Sequence, residues 1–156
     1  MYIYLLRHAE AETGALKDEL RALTGKGRRQ VQKVGQFCLK HRIAPDVILT
    51  SPLVRAEETA RIVAEKLGLA NLVYVEPFLK TGMVPAAAFS GLGKYRDKVN
   101  VLLVGHEPDF SRLVSVLIGA SSHSIHVRKA TLLKVQTPSL EPGAGAIEFL
   151  LPVKFL

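Results

Sequence analysis

The chain has 156 residues and 48% hydrophobic composition, which fits one globular domain and argues against intrinsic disorder. Charged residues make up 22%, and no apolar run approaches the roughly 20 residues needed to cross a bilayer, so a membrane-spanning protein is excluded. The formal charge is +7, and Cys38, the only cysteine, excludes an internal disulfide framework and a multi-cysteine zinc site.

Tyr2 to Leu6 reads as a first strand. No basic stretch precedes it and no small-residue cleavage site follows, so it is not read as a signal peptide and the chain is expected in the cytoplasm. Thr24 is the predicted N-cap of a helix whose Val31, Val34 and Cys38 share one face. Asp46 to Thr50 is a second strand. Ser51 and Pro52 then offer an N-cap and a first-turn proline for a helix with Ala56, Ala60, Val63 and Leu67 turned inward and Gly68 at its end. Leu72 to Val75 is a third strand, and a weaker helix starts near Pro85, with Gly91 and Gly93 against its second half. Val101 to Val104 is apolar without alternation, the pattern of a central strand covered on both faces. From Pro108, residues Phe110, Leu113, Val114, Leu117 and Ile118 follow helical spacing, with Gly119 as the stop. Thr131 to Gln136 and Ala146 to Leu151 flank a segment rich in proline and glycine and pair as an antiparallel hairpin. Alternating strands and helices followed by a hairpin predict an α/β fold with a mixed, mostly parallel sheet.

The positive charge is concentrated in one place. Lys17, Arg21, Lys26, Arg28, Arg29, Lys33, Lys40 and Arg42 face only Asp18 and Glu19 between positions 17 and 42, so this segment supplies +6 of the +7. A solvated helix face and a docking surface for an anionic partner both fit it. With Phe37 as its one aromatic residue, stacking on bases has little support and no nucleic-acid partner is expected.

In an open α/β sheet, ligands bind beyond the carboxyl ends of the strands. Three strand ends carry chemistry: Arg7-His8 after the first, Ser51-Pro52 and then Arg55 after the second, and Gly105-His106-Glu107-Pro108 after the fourth. Two arginines can clamp one phosphoryl group through paired, charge-assisted hydrogen bonds and stabilise the charge on its oxygens. An imidazole near neutrality can act as a nucleophile, and a second, held against phosphate, can become cationic and donate. Such a site needs no metal.

Leu6-Arg7-His8-Ala9-Glu10 resembles the signature of the histidine phosphatase superfamily, usually Arg-His-Gly, with Ala9 in place of the glycine. Leu23-Thr24 with Gly27 and Gln30, Ser51-Pro52 with Arg55, Ala56 and Thr59, and Gly105-His106 match the later landmarks of that family in order and spacing. The small size is similar to that of the SixA-type phosphohistidine phosphatases, a bacterial branch without a helical cap. The resemblance implies a three-layer α/β/α sandwich of the phosphoglycerate mutase-like kind, its mostly parallel sheet carrying one antiparallel strand. It also implies a single domain over 1–156 without a cap subdomain. His8 becomes the transiently phosphorylated nucleophile, Arg7, Arg55 and His106 bind the phosphoryl oxygens, and no cofactor or metal takes part. The alternative for Arg55 is an ion pair with Glu58 or Glu10.

Relatives that hydrolyse phosphate monoesters place an acid after the third strand, where this chain has Thr81 in the stretch Glu76 to Thr81. An alkoxide leaves poorly without a proton, whereas the imidazole of phosphohistidine can already carry one. The expected activity is therefore dephosphorylation of phosphohistidine on a protein partner, such as a histidine phosphotransfer domain, in signal transduction. A monomer is expected. Glu10, Glu12, Glu76 and Glu107 stay open as replacement acids. Small phosphate esters or nucleotides in the same site, or a basic binding module with an inactive pocket, are the competing readings. About eight residues between the third strand and the next helix leave no room for a lid, so the pocket should be open. Gly25-Lys26-Gly27 and Gly91-Leu92-Gly93-Lys94 are read as turns or helix ends, His123 and His126 as no metal pair, His41 as a helix C-terminal residue, and Cys38 as core packing. Arg128 and Lys129 are placed near the mouth of the pocket, as a solvated strand end or as help in binding an anion.

Overall fold

The computed structural model describes residues 1–121 and 124–156. Six strands, β1 (Tyr2–Arg7), β2 (Val47–Thr50), β3 (Val73–Val75), β4 (Asn100–Gly105), β5 (Leu132–Gln136) and β6 (Ala146–Leu151), form one sheet in the order β3-β2-β4-β1-β5-β6. The first four are mutually parallel; β5 runs against β1 and β6 against β5, so β5 alone opposes the sheet direction. Four α-helices among the described residues flank the sheet: α1 (Gly25–Lys40), α2 (Val54–Leu67), α3 (Pro85–Leu92) and α4 (Asp109–Leu117). No helix among the described residues is long and apolar enough to cross a membrane.

Alternation along the strands sorts the core into two halves. Tyr4, Leu6, Ile48, Leu102 and Val104 pack with Val31, Val34 and Cys38 of α1 and Ala60 and Val63 of α2. Ile3, Leu5, Leu49, Val101 and Leu103 pack on the other face with Ala88 and Leu92 of α3 and Phe110, Leu113 and Leu117 of α4. The result is the expected three-layer α/β/α sandwich, with β4 central because it is apolar on both sides.

Local signals set most element ends where the sequence puts them. The Thr24 hydroxyl accepts the Gly27 N–H at 2.9 Å and caps α1. Gly68, with φ of 71°, closes α2 in the left-handed conformation that a Cβ disfavours. The start of α2 is the exception. Leu53, and not Ser51, precedes its first turn, because Ser51 Oγ accepts the Leu53 N–H at 3.3 Å in a turn ahead of the helix.

Register delivers the site. Arg7 lies beside Gly105, and Thr50 beside Val104, so the residues that follow β1, β2 and β4 emerge together at one sheet edge. Main-chain bonds continue the ladder one step further, from His8 N to Gly105 O and from Ser51 N to Val104 O, both 3.0 Å. Gly27 serves the same edge. A Cβ there would collide with the Glu10 carbonyl, so the first turn of α1 packs directly on the chain leaving β1. Gly25-Lys26-Gly27 is thus the start of a helix in close packing and no phosphate loop. Gly27→Ala should cost about 1–3 kcal/mol of stability in urea unfolding, as overpacking does. Gly14→Ala, which meets nothing within 4 Å, should leave the midpoint unchanged.

Candidate active site

His8 is the first residue beyond β1 and is only 6% exposed. Its Nδ1 lies 2.7 Å from the Ala9 carbonyl oxygen. A carbonyl can only accept, so Nδ1 carries the hydrogen and Nε2 keeps its lone pair. Arg55, the second residue of α2 and 4% exposed, donates its Nε–H to that lone pair at 3.2 Å. Arg7 at the end of β1 donates from Nη1 to the Val127 carbonyl at 2.9 Å. His106 follows β4, buried, with Nε2 2.8 Å from Ser51 Oγ and its ring 5.2 Å from the His8 ring, centroid to centroid. The four residues predicted from strand ends are therefore brought together. Two of their buried nitrogens, Arg7 Nε and His106 Nδ1, have no partner among the described residues. With the Ser51 hydroxyl donating to His106 Nε2, Nδ1 carries the ring hydrogen and is an unspent donor. Oxygens of a phosphoryl group match that donor set.

Burial dominates the electrostatics. It pushes His8 down to about 4, aided by the charges of Arg55, Arg7 and Lys129 and opposed by the hydrogen bond to Ala9. His106 is pushed down to about 3, by burial first and then by His8 and Arg55, with Asp18 opposing. Both imidazoles are neutral near pH 7 in the free site. His106, which sequence reasoning allowed to become cationic, is an uncharged hydrogen-bonding group until an anion arrives to change its field. Burial also lowers Arg7, against the charge of Glu107.

The supporting contacts were mostly invisible in the sequence. Arg55 pairs with neither Glu58 nor Glu10: its Nη1 donates to the Asp18 main-chain oxygen at 2.8 Å and its Nη2 to the Asp18 carboxylate at 3.0 Å. Glu58 instead takes Arg28 and the Leu23 N–H, and Glu10 takes Lys26 and the Thr24 hydroxyl. Glu107 accepts from Ser111 Oγ at 2.6 Å and from Val127 N at 3.0 Å, and so holds the strand-end loop whose Val127 carbonyl receives Arg7. Ala130, at φ 53°, shares its N–H between the carbonyls of Arg7 at 3.1 Å and His8 at 3.3 Å. A left-handed alanine costs about 1–2 kcal/mol, and here that conformation ties the start of β5 to the end of β1. Glu76 bonds Tyr95 Oη. Three of the four glutamates kept open as acids are thus engaged with structural partners.

Cys38 is buried, and burial pushes its thiol up to about 12, which makes it an inert core residue. His41 ends α1 with its ring 4.3 Å from Phe37. Arg128 and Lys129 are exposed, and the charge of Lys129 bears on both His8 and Glu10. Within the basic segment, Arg21, Lys26 and Arg28 are paired with Asp18, Glu10 and Glu58. His123 lies outside the described residues, so the pair it was considered to make with His126 is not part of the site described.

The family model for the histidine phosphatase superfamily (branch 1) matches residues 3–80, which span β1, α1, β2, α2 and β3. The phosphohistidine phosphatase SixA homolog of Haemophilus influenzae is 32% identical over 130 residues, covering 76% of this chain and 78% of its own length. The solved structure of the protein histidine phosphatase SixA complexed with tungstate superposes with a TM-score of 0.90 at 22% identity, over 99% of both chains. An alpha-ribazole phosphatase from Shigella flexneri has the same fold, with a TM-score of 0.79 at 19% identity over 98% of this chain and 97% of that one. The chain belongs to the histidine phosphatase superfamily and is of its SixA type.

The lowered imidazole values make a prediction about stability. Between about pH 6.5 and about pH 4 the unfolded chain binds protons on His8 and His106 that the folded chain refuses, so stability must rise with pH through that window. Urea midpoints measured from pH 7.5 down to 4.5 should fall, and His106→Asn should flatten the dependence. An equal slope in the variant would show that the buried imidazole does not titrate as its burial requires.

Proposed function

We propose that this enzyme removes the phosphoryl group from phosphohistidine on a protein partner through a covalent phospho-His8 intermediate. The observation that carries the reading is the state of His8: a buried, neutral imidazole whose Nδ1–H is given to Ala9 and whose Nε2 lone pair faces Arg55. In the first step Nε2 attacks phosphorus and the P–N bond of the substrate breaks. The departing imidazole takes the bonding electron pair, and because its other nitrogen already holds a hydrogen it leaves neutral. Arg7, Arg55 and His106 bind the phosphoryl oxygens as charge redistributes. In the second step a water oxygen bonds to phosphorus, the His8–phosphorus bond breaks, and the water's protons pass to the released phosphate and solvent. His8 returns to its starting tautomer, and no metal or cofactor takes part.

Both sides of the first step are imidazoles, so the transfer is close to balanced and needs no general acid. This suits a site where Glu10, Glu76 and Glu107 are engaged elsewhere and an exposed Thr81 stands in the stretch that holds the acid of monoester-cleaving relatives. The SixA proteins of the family are phosphohistidine phosphatases by name, which supports the same substrate class. We read the chain as one domain without a cap: residues 76–84, between β3 and α3, hold one short turn of 3-10 helix, and an uncovered site admits a side chain on a protein.

A hydrolysis panel tests the substrate assignment. With a chelator present, a phosphohistidine protein should be turned over at least about tenfold faster, in kcat/KM, than p-nitrophenyl phosphate, sugar phosphates or nucleotides, a difference of about 1.4 kcal/mol in barrier. Equal or better turnover of the monoesters would assign the site to small esters.

A further inference from the structure

Residues 12–20 are all exposed, and Leu16 and Leu20 project apolar side chains into solvent. The segment is tied at its base and flanks, where Arg21 Nε also donates to the Glu12 carbonyl. Ala11 pairs with Leu23, Glu12 N bonds Ala22 O at 2.8 Å, and Glu19 meets Lys80 at 2.6 Å. From this strap one residue reaches inward. Asp18 takes both terminal nitrogens of Arg55, one on its main-chain oxygen and one on its carboxylate.

The pair joins a buried guanidinium, 5% exposed, to a carboxylate that is 56% exposed, so Asp18 helps to settle a buried charge. It also has a geometric consequence. A guanidinium has five N–H groups in one plane. Two contacts from Asp18 and one to His8 Nε2 fix that plane at three points, leaving one N–H on each terminal nitrogen. Resting on the reading of the site as a phosphoryl-transfer centre, we propose that Asp18 is a positioning residue: it holds the Arg55 guanidinium beside His8, so that when the Nε2 lone pair turns from Arg55 to phosphorus the remaining N–H groups are presented to phosphoryl oxygens. Arg21, bonded to the other carboxylate oxygen at 2.8 Å, holds Asp18 in turn, so the strap itself is part of the clamp.

Glu10 and Glu58, the acids the sequence offers to Arg55, are paired with Lys26 and Arg28. Without the Asp18 carboxylate, Arg55 Nη2 loses its partner and the guanidinium plane keeps only two of its three fixed points.

The test combines kinetics with the Arg55 Nε–H signal in a 1H–15N spectrum, which is slow to exchange only when the guanidinium is fixed. Asp18→Ala should broaden or lose that signal and lower kcat for the phosphohistidine protein by about tenfold or more, with KM little changed, since misplacement of a catalytic group acts on the transition state. Asp18→Asn, which keeps an acceptor, should restore most of both. Asp97→Asn, whose carboxylate meets Lys98 ahead of β4 at the opposite end of the sheet, should change neither. An unchanged Arg55 signal in Asp18→Ala would overturn the proposal, and so would a rise in kcat, which would make Asp18 a competitor for phosphate. If the wild-type protein fails to turn over phosphohistidine, the proposed function falls, while the Arg55 signal still decides the role of Asp18.

Discussion

The hydrogen bond from Arg55 Nε to His8 Nε2 requires a lone pair on that nitrogen, and much of the site is built to keep one there. Ala9 takes the Nδ1 hydrogen, burial disfavours the imidazolium, and the neighbouring arginines repel a further positive charge. An imidazole that would be partly protonated near neutrality in water is thereby held neutral and oriented. The cost is carried by the fold: two imidazoles and an arginine must be buried at one edge, and they are stable there only because each finds an oriented partner.

That placement depends on register. Arg7 beside Gly105 and Thr50 beside Val104 bring three remote chain segments to a common line. A slip of one residue in β1 would send His8 to the opposite face and misplace the leucines of the strand, so the same alternation that divides the core in two also aims His8. Gly27 and Ala130 secure the two sides of the β1 exit, one by allowing α1 to approach Glu10 and the other by an N–H shared between Arg7 and His8.

These features differ in how far they could be read beforehand. The apolar run at Val101 to Val104, the Thr24 cap and the glycine stops are local signals, and the elements they mark stand within a residue or two of where they are observed. His8, Arg55 and His106 were legible because strand ends in this topology converge. Asp18 on Arg55, Glu107 on Val127 and Ser51 on His106 were not, since each joins segments with no shared periodicity and separations of 37, 20 and 55 residues. The start of α2 was misplaced for a related reason: Ser51 looks like a cap in isolation, but its hydroxyl is used by Leu53 and His106. The basic run from Lys17 to Arg42 also changes meaning. Three of its cations neutralise acids around the site, Arg21 on Asp18 among them, so part of the excess charge is internal scaffolding.

The central claim, phosphoryl transfer to His8, is tested most directly by trapping the intermediate. A phosphohistidine protein carrying 32P, mixed with excess enzyme and quenched in base within a single turnover, should leave acid-labile, base-stable label on the enzyme, mapping to His8 by mass spectrometry. His8→Asn should show no label. Release of inorganic phosphate with no labelled enzyme at any time, or label on another side chain, would contradict the mechanism.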